Sequence, residues 1–110
     1  MIPRILVVDD QVSFCHHIRA ILEAEGYSVD IAGGGKEAIG LLTSESYDAL
    51  LTDMKMPQIE GLELIKVARK IDPDISCVIM TAYGTISSAV NSIKEGASDY
   101  LEKPFEPETL

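Results

Sequence analysis

Tryptophan is absent from the 110 residues, cysteine occurs twice, and 9 basic side chains stand against 18 acidic ones. Each shortage excludes something. Two cysteines, Cys15 and Cys77, cannot build a disulfide framework and fit packing thiols of a reducing, cytoplasmic compartment. A net charge of −9 excludes a surface that grips nucleic acid directly, because non-specific affinity for phosphates comes from Lys and Arg. Long apolar runs are missing as well. Ile5-Leu6-Val7-Val8 stops at Asp9, far short of the roughly 18 residues that a membrane-spanning helix takes. Met1-Ile2-Pro3-Arg4 enters that run without the apolar stretch and cleavage site of a secretory leader, so no membrane partner is expected. What is present is a chain that is 46% apolar and 25% charged, which excludes disorder and suffices for one core. Residues 1–110 are expected to form one domain.

Apolar runs and helical patterns alternate along the chain. Ile5 to Val8 is a short β-branched run, followed by Phe14, Ile18, Ile21 and Leu22 on one helical face that ends at Gly26. Val29-Asp30-Ile31 precedes Gly33-Gly34-Gly35, and Ala38, Ile39 and Leu42 mark a second helix. Ala49-Leu50-Leu51 leads to Asp53, and a third helix carries Leu64, Ile65, Ala68 and Ile71. Cys77 to Met80 runs into Thr81. Ile86, Ala89, Val90 and Ile93 predict a fourth helix, and Ser98 to Glu102 a last, mixed strand.

This alternation predicts an α/β fold with a parallel sheet covered on both faces. Strands buried on both sides read as continuous apolar runs, which describes the first, third and fourth; the mixed second and fifth belong at the edges. With right-handed crossovers the result is a doubly wound, five-stranded sheet of order 2-1-3-4-5, the flavodoxin-like arrangement. Only Phe105 to Leu110 follow Pro104, so the helix expected after the fifth strand is largely missing and the chain is expected to be an N-terminal fragment of a longer regulator.

Parallel strands bring their C-terminal ends to one edge, where ligands of open α/β folds bind. The predicted strands deliver Asp9-Asp10, Asp53, Thr81 and Lys103 there. Singly, each has an ordinary role. Asp10 could cap the first helix, Asp53 could sit in a turn, Thr81 is a common strand residue, and Lys103 and Tyr100 could be a solvated lysine and a packing ring. Jointly they are more telling. Clustered carboxylates repel one another without a cation, and oxygen-only ligands suit Mg²⁺. A carboxylate beside Mg²⁺ can attack phosphorus to give an aspartyl phosphate, with an ammonium and a hydroxyl stabilising the phosphoryl oxygens.

With those residues in place the sequence resembles the receiver domain of two-component response regulators, over nearly its whole length. The resemblance rests on Val7-Val8-Asp9-Asp10, on Leu51-Thr52-Asp53-Met54-Lys55-Met56-Pro57 with Gly61, on Met80-Thr81-Ala82, and on Asp99 to Phe105. Thr81-Ala82-Tyr83-Gly84 with Gly96-Ala97 and Lys103-Pro104-Phe105 is most similar to receivers of nitrogen-regulation-type transcriptional regulators. The resemblance implies that Asp53 is the phosphoacceptor, that Asp10 binds Mg²⁺ directly and Asp9 through water, and that the Lys55 backbone carbonyl completes the metal site. It implies that Thr81, Ala82 and Lys103 contact the phosphoryl group, and that Thr81 and Tyr100 are the switch pair. It further implies a sensor histidine kinase as donor, an output domain or partner controlling transcription, and a possible homodimer through the fourth helix and fifth strand. The domain would be no enzyme, only a phosphoacceptor assisting its own phosphorylation and dephosphorylation.

Two departures stand out: Gln11 where a third acidic residue is common, and the glycine-rich Gly33-Gly34-Gly35. That run lacks the spacing of a P-loop and reads as a flexible turn. His16 and His17, adjacent on a helix, point different ways and do not form a metal pair. An aspartate-nucleophile phosphatase would need an acid where Lys55 stands, and a flavin-binding module would need a phosphate-accepting loop where Asp9-Asp10 would repel an anion.

Overall fold

The computed structural model describes residues 2–53, 59, 61–81 and 99–102. Its elements run β1 (Arg4–Val8), α1 (Val12–Ala24), β2 (Ser28–Ala32), α2 (Gly35–Ser44), β3 (Ala49–Asp53), α3 (Gly61–Ile71), β4 (Ser76–Thr81) and β5 (Asp99–Glu102). The strands form one parallel sheet in the order β2-β1-β3-β4-β5, as the pattern of pure and mixed apolar strands requires. The fourth helix anticipated around Ile86–Ile93 and the final turn after Pro104 lie outside the described residues.

Strand periodicity divides the core between the two faces. Ile5 and Val7 of β1 join Val29, Leu51, Cys15, Ile18 and Leu22 under α1. Leu6 and Val8 face the other way and pack with Leu50, Ile79 and the inner residues of α2 and α3, including Leu42, Leu64, Ile65 and Ala68. In α1, Cys15, Ile18 and Leu22 are buried, and Phe14 packs half-buried against the same cluster. Ile71 remains 45% exposed at the end of α3, so the apolar face there closes at Ala68.

Helix α1 ends in a Schellman motif. Gly26, at φ 96°, takes the left-handed conformation; its N–H reaches the Glu23 carbonyl at 3.0 Å, and the Tyr27 N–H reaches that of Leu22 at 3.2 Å. The triple glycine runs from the bend after β2 into α2. Gly34 is the extended N-cap of α2 and Gly35 its first residue.

At the edge opposite the strand C-termini, Arg4 ties β1 to its neighbours. Its guanidinium lies 3.0 Å from Asp30 and 3.5 Å from Glu45, and 4.9 Å over the Tyr47 ring. Tyr47, nearly buried, donates its hydroxyl proton to Asp30 at 2.7 Å. Burial, reinforced by that hydrogen bond, pushes the Tyr47 hydroxyl far above its usual value of 10.0. A folded-state value above the unfolded one means that the associated stability is complete below pH 10 and declines as pH rises beyond it. Tyr47→Phe should therefore lose about 1 kcal/mol at neutral pH, and above about pH 10 its stability should fall less steeply than that of the wild type. Urea unfolding at the two pH values checks both; equal slopes above pH 10 would contradict this account of Tyr47.

Candidate functional site: an acidic cluster at the carboxyl edge

Register alone brings the carboxylates together. Val8, the last residue of β1, is paired with Thr52 of β3, so the chain places Asp9 and Asp53 side by side immediately beyond that pair. Asp10 follows on the outgoing loop. One carboxylate oxygen from each of Asp9, Asp10 and Asp53 lies within 4.8 Å of the others. Among the described residues this is the one convergent group of His, Cys, Asp and Glu; His16 and His17 are both exposed on α1.

The three acids differ in setting. Asp9 is fully buried, Asp53 half-buried and Asp10 exposed. Asp9 is held firmly by its surroundings. Its N–H donates to the Ala32 carbonyl at 3.2 Å, its carboxylate Oδ1 accepts the Gln11 N–H at 2.9 Å, and its carbonyl lies 3.5 Å from the Cys15 thiol. A cap role for Asp10 is not what the structure shows. Gln11 occupies the N-cap of α1 and makes no side-chain cap bond, so the Asp10 carboxylate is not committed there. Nor is Asp53 a turn residue: it closes β3, paired with Met80.

Beside them, Thr52 is buried, its hydroxyl 3.1 Å from the Asp53 carbonyl. The neighbouring strands carry the other expected participants to the same edge. Thr81 closes β4 one residue beyond Met80, paired with Glu102 of β5, and Tyr100 is paired with Ile79. Thr81 and Tyr100 are thus located by their backbone positions. Lys55, Ala82, Tyr83 and Lys103 lie outside the described residues. Cys77, buried in the core beneath α3, is no nucleophile: burial pushes its thiol up, although Arg69 pulls the other way.

Carboxylates confined within 4.8 Å, one of them buried, are a donor set for a hard divalent cation, whose charge would offset their mutual repulsion. A family model described as "Response regulator receiver domain" matches residues 5–110. The chain belongs to that family. As a receiver domain it is the phosphoacceptor switch of a two-component response regulator, a signalling domain. It is 38% identical over 106 residues to the transcriptional regulatory protein ZraR of Escherichia coli, covering 96% of this chain and 24% of ZraR. With the response regulator MprA of Mycolicibacterium vanbaalenii it shares 40% identity over 107 residues, 97% of this chain and 46% of MprA. The receiver domain therefore spans about a quarter of the length of the one relative and about half of the other.

Solved structures agree. A CheY-like receiver domain protein of Methanospirillum hungatei superposes with a TM-score of 0.93 at 35% identity, covering 99% of this chain and 87% of that one. A response regulator of Burkholderia pseudomallei, whose crystal structure contains a phosphorylated aspartic acid, a calcium ion and citrate, superposes at 0.91 with 33% identity, covering 97% and 63%. Among the described residues of the receiver domain, no helix is long and apolar enough to cross a membrane.

Proposed function

We propose that Asp53 accepts a phosphoryl group from a sensor histidine kinase in a Mg²⁺-dependent reaction, and that Thr81 and Tyr100 convert this event into a change of surface. The observation that carries the reading is the convergence of Asp9, Asp10 and Asp53 on one edge. The phosphorylated aspartate and divalent ion in the Burkholderia relative support it by analogy. Asp10 and Asp53 would hold Mg²⁺ through carboxylate oxygens, Asp9 through water, and Lys55 through its backbone carbonyl. Bound there, the ion would supply positive charge against which the phosphoryl oxygens and the acceptor carboxylate can approach one another.

In the transfer, an Asp53 carboxylate oxygen attacks phosphorus as the bond to the donor imidazole nitrogen breaks, and the nitrogen lone pair leaves with the ring. Asp53 loses its negative charge to an acyl phosphate carrying about −1.5 to −2. Lys103 and Thr81, with the Ala82 amide, receive the phosphoryl oxygens. A hydrogen bond from the Thr81 hydroxyl draws that residue toward the site, and the Tyr100 ring turns into the space released. The populations of the β4–β5 face shift accordingly. The receiver domain turns over no substrate and promotes only its own phosphorylation and dephosphorylation. Its output is a domain or partner controlling transcription in the cytoplasm, of the nitrogen-regulation type, with a homodimer through β5 and the helix expected from the sequence around Ile86 to Ile93 as one route. DNA contact belongs to that output, in keeping with the receiver's charge of −9.

Beryllofluoride with Mg²⁺ should shift the amide signals around Asp53, Thr81 and Tyr100 in the wild type and leave Asp53→Asn unchanged. Thr81→Ala should still be phosphorylated, with the response at Tyr100 lost. An equal response in Asp53→Asn would remove Asp53 from the acceptor role, and a normal Tyr100 response in Thr81→Ala would remove Thr81 from the switch.

A further inference from the structure

The glycine run between β2 and α2 is absorbed by none of the roles above, and backbone conformation does not account for it. Gly34 is extended at φ −175°, and positive φ among the described glycines occurs at Gly26. Space is the reason at Gly35. A β-carbon built there would stand 2.6 Å from the Ile59 Cβ, 2.9 Å from its Cγ2 and 3.3 Å from its Cδ1. The nearest atom is itself a β-carbon, fixed to the main chain, so no rotamer change relieves the conflict. The same addition at Gly34 or Gly40 meets open space.

Ile59 lies on the connection that leaves Asp53 and enters α3 at Gly61, and its side chain packs on the core shared by α2 and α3. The segment before Gly35 is also bonded to the opposite arm of the site, through the Ala32 carbonyl and the Asp9 N–H. A β-carbon on Gly33 would be 3.7 Å from Val12 Cγ2 at the start of α1. Residues 32–35 are thus joined to Asp9 at one end and set against Ile59, six residues after Asp53, at the other.

We propose that Gly35 is a positioning residue for the acidic site. Lacking a side chain, it lets Ile59, six residues after Asp53, dock against the start of α2, and so couples the Asp53 arm of the site to the Ala32–Asp9 arm. The inference rests on the acidic cluster being the Mg²⁺-dependent phosphoacceptor site.

The test is a double-variant cycle on the whole chain, reading metal-free amide signals of Thr52 and Asp53 and the Mg²⁺ dissociation constant by amide titration. Gly35→Ala should displace both signals without metal and weaken Mg²⁺ about tenfold, the low end of what loss of an outer-shell support costs. Ile59→Gly, which removes the seat from the other side, should weaken Mg²⁺ to a similar degree. In that background Gly35→Ala should add nothing, because the conflicting β-carbon is gone. Gly40→Ala on the same helix should leave both readouts as in the wild type.

Full additivity of Gly35→Ala and Ile59→Gly would overturn the inference, as would wild-type Mg²⁺ affinity in Ile59→Gly. Should Gly35→Ala fail to fold, recovery of folding in the double variant with weakened Mg²⁺ binding in Ile59→Gly supports it. A wild type whose Asp10 and Asp53 signals ignore Mg²⁺ would instead overturn the reading of the site, while the metal-free signals would still decide whether Gly35 seats Ile59.

Discussion

Asp10→Asn should slow phosphorylation by acetyl phosphate on the order of a hundredfold, equivalent to about 2.7 kcal/mol of barrier. Chelating divalent ions should do the same to the wild type. Asp9 is buried and Asp53 half-buried, their oxygens within 4.8 Å of each other, and a doubly charged phosphoryl donor must approach them. At an effective dielectric of about 20, each pair of unit charges at that distance repels by about 3.5 kcal/mol. The fold cannot relieve this by moving the acids, since Asp9 is anchored through Ala32 and Gln11 and Asp53 by the strand register. A divalent cation would offset it, and Asp10 is the exposed carboxylate through which the ion can be reached from solvent. Asp10→Asn keeps shape and volume and removes one charge from the donor set. The comparison is the initial rate of phosphoryl incorporation with and without chelator. An unchanged rate in chelator would contradict the metal requirement outright.

The phosphorylated state should persist for many minutes or longer after the donor is removed. Hydrolysis of an acyl phosphate needs a water placed in line with the bond to Asp53. Lys55 follows Asp53, the last residue of β3, by two residues, and Tyr83 follows Thr81, the last of β4, by two. An ammonium drawn to the phosphoryl charge and a ring excluding water both oppose hydrolysis, and neither side chain offers a carboxylate or amide that would orient the attacking molecule. Lys55→Asn/Tyr83→Glu supplies both. It should shorten the lifetime about tenfold or more, short of the roughly 10²–10⁴ that a fully positioned base contributes. Loss of phosphoryl followed over time in the two proteins decides it; equal lifetimes would mean that these residues do not set the duration of the signal.

Much of this was legible in the residues because period and register carry the information. The purely apolar runs at Ile5–Val8, Ala49–Leu51 and Cys77–Met80 could be buried on both faces and so had to be interior strands. Once the order followed, Asp9, Asp53 and Thr81 fell on one edge by necessity, since parallel strands end on the same side. Contacts between loops were less accessible. Nothing in the pattern of Gly33-Gly34-Gly35 says that Gly35 must clear the β-carbon of Ile59, a residue 24 positions later, because that contact depends on how α2 and the segment before α3 meet. Asp10 illustrates a different limit. Its composition suits an N-cap as well as a metal ligand, and only the helix boundary, with Gln11 at the cap, separates the two. The Arg4–Asp30–Tyr47 group escaped for a third reason: its members come from three separate segments and match no spacing rule.

The central claim is that phosphorylation occurs on the Asp53 carboxylate. Wild-type protein treated with acetyl phosphate and Mg²⁺ is reduced with borohydride, which converts an acyl phosphate to an alcohol at the residue that carried it, and the peptides are then mapped by mass. The account predicts a single reduced residue, Asp53, and none in Asp53→Asn. Reduction at Asp9, Asp10 or any other residue of the wild type, with Asp53 intact, would contradict it.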